Sequence, residues 1–180
     1  MKRAFAPTLL GLAAALALAG CGIGANSSPA SFSVASVGPS AHVTGATAQT
    51  RGEIASALTS VAVQFGDATR PYRPAESTRL RVAPRAVFQV VLADQPDAGY
   101  VVVYEFADAA AAVDAGNEEA GYLGTGPAKV QFPRDAQHVL RQLGPTLILY
   151  TWSPADSTDL AAGQVAAALA KLGIGFSVPN

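Results

Sequence analysis

Two apolar runs, "AVFQVVL" at 86–92 and "YVVVYEF" at 100–106, constrain the fold of this chain more than any other feature. Valine and aromatic side chains suit an extended, half-buried backbone. Asp97-Ala98-Gly99 lies between the runs and has the composition of a turn. The pair therefore reads as a β-hairpin with a loose connection.

The rest of the chain is read outward from that hairpin. Upstream, Thr50 and Glu53 have capping-box spacing, and Ile54, Leu58, Val61 and Phe65 recur at helical intervals. Val61, Val63 and Phe65 also alternate, so the helix either runs to Gly66 or ends near Thr59 and passes into a short strand. Residues 70–85, "RPYRPAESTRLRVAPR", hold five Arg among three Pro and read as a loop with an edge strand at Leu80–Val82. Downstream, Asp108 caps an Ala-rich helix, "AAAAVDAGNEEAGYL". "GTGP" (124–127) reads as a turn, and "AKVQF" (128–132) as a third strand. "AQHVLRQ" and "TLILYTW" form a second hairpin turning at Gly144-Pro145. Asp156 or Ser157 caps a last helix, with Leu160, Val165, Leu169 and Leu172 on one face and Gly173 at its end. Interleaved hairpins and helices predict an α+β fold: a mainly antiparallel sheet with helices packed on one face, over residues 51–178.

The first fifty residues carry a different message. Lys2 and Arg3 precede an uncharged, Leu- and Ala-rich run that ends in Ala19 and Gly20. This is the three-part plan of a secretory signal, too short and too interrupted for a membrane span. The only cysteine follows at once. Leu18-Ala19-Gly20-Cys21 resembles the lipobox of bacterial lipoproteins. That resemblance implies cleavage between Gly20 and Cys21, acyl chains on Cys21, and a mature chain anchored in the cell membrane or outer membrane. Gly22, standing where the class carries an Asp for inner-membrane retention, favours the outer membrane in a cell that has two. Stable anchoring needs two or more chains at about 0.8 kcal/mol per buried CH₂, and a diacylated or triacylated Cys21 supplies them. Residues 22–50 contain no Asp, Glu, Lys or Arg and are rich in Ser, Gly, Ala and Thr. They read, with Cys21, as a flexible tether with a reach on the order of 30 Å.

The folded part is similar to a loosely defined group of small bacterial lipoprotein domains. The likeness rests on "VVVYEFADAAAAVDA", "AQHVLRQLGPTLILYTW" and "ALAKLG", and covers roughly residues 85–173. It implies a fold and a cellular address, and supplies no catalytic residues.

Composition narrows the function. Removal of residues 1–20 takes away Lys2 and Arg3 and moves the formal charge from −1 to −3. So small a net charge argues against a nucleic-acid binder. With Cys21 lipidated, no thiol remains for a disulfide, a zinc site or a nucleophile. No G-x-S-x-G elbow and no phosphate loop occur.

The remaining candidates are few. Arg70, Arg73, Arg79, Arg81 and Arg85 form either a surface for an anionic ligand or lipid, or a solvated loop paired with acidic residues. Tyr150 and Trp152 are core aromatics or line an apolar groove. Glu105, in an apolar strand on the face of Val101 and Val103, is an acid–base candidate if buried, and otherwise marks a solvent face. His138 lies near Asp135, but two ligands do not make a metal site. His42 sits in the tether, and Glu118-Glu119 reads as a solvated helix face. No metal, cofactor or catalytic constellation is expected. The expectation is an anchored, non-catalytic envelope lipoprotein whose partner is another envelope protein. The alternative is a small-ligand or anionic-lipid binding module facing the periplasm or the exterior.

Overall fold

The computed structural model describes residues 44–179. The signal segment, Gly20, Cys21, His42 and most of the tether lie outside the described residues. Six strands form one antiparallel sheet in the order β1-β2-β3-β5-β4-β6. They are β1 (Gln64–Asp67), β2 (Arg85–Val91), β3 (Tyr100–Glu105), β4 (Gln137–Leu143), β5 (Thr146–Trp152) and β6 (Ile174–Gly175). Five helices accompany them: α1 (Gly45–Leu58), α2 (Thr78–Val82), α3 (Ala109–Leu123), α4 (Gly126–Lys129) and α5 (Ala161–Leu169). The α+β class and the antiparallel sheet are as expected.

Both expected hairpins are present. Phe88 pairs with Val101 across β2 and β3, and Leu140 with Leu149 across β4 and β5. Gly99 and Gly144 have positive φ, which glycine adopts without steric cost. β5 inserts between β3 and β4, so α3 carries the chain past one strand position before β4 returns through β5.

The helices divide between the two faces of the sheet instead of sharing one. α1 and α5 bring Ile54, Leu58, Val165 and Leu169 onto Phe88, Val90, Val101, Val103, Ile148 and Tyr150. α2, α3 and α4 bring Leu80, Ala115, Leu123 and Ala128 onto Val87, Val102, Tyr104, Leu147 and Leu149. The cause is legible in the central strands. β3 and β5 are apolar at odd and even positions alike, so both faces must be covered.

Four local expectations are corrected. The first helix starts at Gly45, so residues 45–50 are helical and not tether, and Thr44 is its cap in place of Thr50. Over its first two turns the inward face is threonine: Thr47 and Thr50 are buried, and Thr50 Oγ1 lies 2.8 Å from Thr146 Oγ1. A Thr face leaves no apolar periodicity to detect. The helix then gives way near Thr59 to a short 3₁₀ turn and β1, the shorter of the two readings.

Leu80–Val82 belongs to α2 and not to an edge strand. Its N-terminal amides find carboxylates on α3: Ser77 N–H donates to Glu119 Oε2 at 2.8 Å, and Arg79 N–H to Glu118 Oε1 at 3.1 Å. "AKVQF" is not a strand. Pro127 stands in the first turn of α4, where its fixed φ suits a helix, and Val130 is exposed. The last helix starts at Ala161, with Asp159 Oδ1 accepting from Ala161 N–H at 2.8 Å, and Leu160 points to solvent.

Candidate functional site

The Arg-rich segment is drawn mostly into ion pairs. Arg70 pairs with Asp97, and Arg79 with Glu118 at 3.1 Å and Asp114 at 3.8 Å. Glu76, buried, accepts from Arg73 Nε at 2.7 Å, from Arg85 Nη1 at 3.3 Å and from the Tyr104 hydroxyl at 2.9 Å. Arg81, whose carbonyl accepts from Arg73 Nη2 at 3.0 Å, forms no ion pair among the described residues. The cluster ties the irregular segment 70–84 to β2 and β3. Burial, reinforced by the Glu76 carboxylate, pushes the Tyr104 hydroxyl far above its ordinary range.

Glu119 is the residue that sequence reasoning misplaced. It is fully buried and not part of a solvated face. Burial raises its carboxyl above the ordinary 4.5, against the Ser77 N–H hydrogen bond, and Glu76 and Glu118 add to the rise. Glu119 Oε1 and Ser77 Oγ have no hydrogen-bond partner among the described residues. The pair is an internal support for α2, closed to solute.

The acid–base candidates are engaged elsewhere. Glu105 accepts from the hydroxyls of Thr44 and Thr47, the latter at 2.6 Å, and clasps the start of α1 to the end of β3. His138 Nδ1 meets Thr151 Oγ1 at 2.8 Å, and its ring stands edge-on to Phe132 at 4.9 Å. Desolvation lowers its pKa below 6.5. Asp135 does not pair with it. Asp135 accepts from Ser153 Oγ at 2.7 Å and Ala155 N–H at 2.6 Å, bonds that hold its carboxyl below the usual range. Among the described residues no group of three or more His, Asp or Glu is placed to hold a metal ion.

Tyr150 and Trp152 do share a cavity. At the end of the sheet where β5 finishes and β3 begins, a space of about 220 Å³ is walled by Tyr72, Leu92, Phe132, Tyr150 and Trp152, with Gln95 at its polar side. Each wall has a local support. Tyr72 stacks on Tyr100 at 4.2 Å and 5° between planes, and burial pushes its hydroxyl up to about 12. Tyr150 donates to the Ala162 carbonyl at 3.2 Å. Trp152 lies against Gly163, where a Cβ would stand only 3.1 Å from the indole. Gln95 donates through Nε2 to the Asp156 carbonyl at 2.6 Å, while its Oε1 is buried without a partner.

The arrangement offers aromatic faces, with Thr151, Ser153, Asp156 and Ser157 also in the lining. Tyr72, Gln95 and Phe132 could not be assigned from sequence. They come from three loops that meet only beyond the strand ends. No family model, curated protein or solved structure matches the chain.

Proposed function

We propose that this chain is a bacterial envelope lipoprotein, exported by residues 1–20 and anchored through acyl groups on Cys21, and that its α+β domain is a non-catalytic binding module. Its ligand is a small, largely apolar molecule, aromatic by preference. One observation carries this reading: the aromatic cavity walled by Tyr72, Phe132, Tyr150 and Trp152, with Gln95, Ser153 and Asp156 in its lining. Apolar walls with a few oriented polar groups are the usual build of a small-molecule site, and the size suits a single-ring compound.

Trp152 is the only tryptophan in the chain and reports on the site directly. Titration of the full chain with phenol- and indole-class compounds is expected to change its emission saturably and to raise the unfolding temperature. Tyr72→Ala is expected to weaken binding about tenfold. A panel of such compounds that moves neither signal refutes the ligand assignment.

A further inference from the structure

A second concavity lies behind the Phe132–Ala136 wall of the Trp152 cavity. It is a groove of about 800 Å³ between the α4–β4 connection and the C-terminal segment. Its apolar lining comes from Leu123, Phe132, Phe176 and Val178, and Gln137, His138 and Ser177 add a polar share. Phe176 is seated closely: its ring covers Gly116 on α3, where any Cβ would overlap it. Lys129 and Arg134 stand at the groove, exposed and without an ion pair among the described residues. The described lining residues include no Asp or Glu. The neighbouring Asp135 is turned to Ser153 and Ala155.

From this combination we infer that the groove binds a single-chain anionic amphiphile, its alkyl chain on Phe132 and Phe176 and its head group between Lys129 and Arg134. An apolar trough without charge would accept any alkyl chain, and two cations on a flat surface would accept any anion. Together they select a molecule that has both parts. The volume lies within the roughly 300–1,000 Å³ of small-molecule sites. Two cations fit one carboxylate or phosphate monoester, and are too few for a polyanion such as a nucleic acid. The groove shares the Phe132–Ala136 wall with the Trp152 cavity, and Phe176, Val178, Lys129 and Arg134 belong to the groove alone.

The test uses the full chain in phosphatidylcholine nanodiscs with photoactivatable analogues of three lipids: a long-chain carboxylate, a lysophosphatidate and the matching neutral alcohol. Labelled peptides are mapped by mass spectrometry. The expected result is labelling of the peptide that carries Phe176, with or without the Phe132 peptide, by one or both anions. Labelling by the alcohol should be about tenfold weaker, the order of one lost charge-assisted contact. Which anion labels better identifies the head group. Lys129→Glu with Arg134→Glu should lower anion labelling by a similar factor at unchanged unfolding temperature. If that variant is destabilised, Lys129→Gln with Arg134→Gln is held to the same criterion. Equal labelling by the alcohol, label confined to other segments, or labelling insensitive to both pairs of substitutions overturns the inference.

Discussion

Glu119 loses its water on folding and receives one backbone N–H from Ser77 in return. Because its folded pKa is raised, the native state holds the proton more tightly than the unfolded chain does. Stability is then greatest below the unfolded value and falls as pH rises through the native one. His138 has the opposite sign: its pKa is lowered, so stability rises with pH as the unfolded imidazole loses its proton near 6.5. Comparing wild type with Glu119→Gln at each pH removes the histidine contribution. The amide keeps an acceptor for Ser77 N–H and adds a donor for the unpartnered Ser77 Oγ. Urea midpoints should therefore fall less for Glu119→Gln than for wild type as pH rises above the ordinary carboxyl value of 4.5. An equal fall in both proteins would show that Glu119 is solvated after all. None of this is visible in "NEEAGYL", because burial of one glutamate of a pair is decided by what packs over it.

At the scale of elements, the C-terminal tail and α3 are matched through Gly116. By propensity alone, Gly116→Ala should gain about 1 kcal/mol. In place, the new methyl overlaps the Phe176 ring, and overpacking typically costs about 1–3 kcal/mol. The expected result is a lower unfolding temperature, with the sign reversed in a Phe176→Ala background. Additivity of the two substitutions would show that they do not touch. The elements that were readable share one property: they make their own case locally. β2–β3 and β4–β5 carry apolar runs joined by turn residues, and Asp108 caps α3 with its own side chain, accepting from Ala111 N–H at 2.8 Å. α1 depends on Glu105 and Thr146, and α2 on Glu118 and Glu119, partners distant in sequence. The two-residue β6 pairs only at Arg141 and Gln142 and has no pattern of its own.

For the whole molecule, the proposed anchor and the proposed sites make separable predictions. Protein purified from membranes of the producing bacterium should yield an N-terminal peptide that begins at Cys21 and carries acyl chains. Cys21→Ser should leave the membrane fraction or remain uncleaved. An unmodified peptide beginning at Met1 would end the lipoprotein reading and leave the ligand assignments to be judged alone. The helices bear on neither outcome: among the described residues none is long and apolar enough to cross a membrane.

By itself, the sequence determined the alternation of hairpins and helices, the turn positions at Gly99 and Gly144, and the α+β class. Each rests on contacts or dihedral preferences within a few residues. Only the tertiary structure decided that both faces of the sheet are covered, that Glu76 and Glu119 are buried, and that Trp152 shares a cavity with Tyr72 and Gln95. Those features depend on side chains brought together from distant segments, and a carboxylate or an indole has the same local pattern whether water or protein stands beside it.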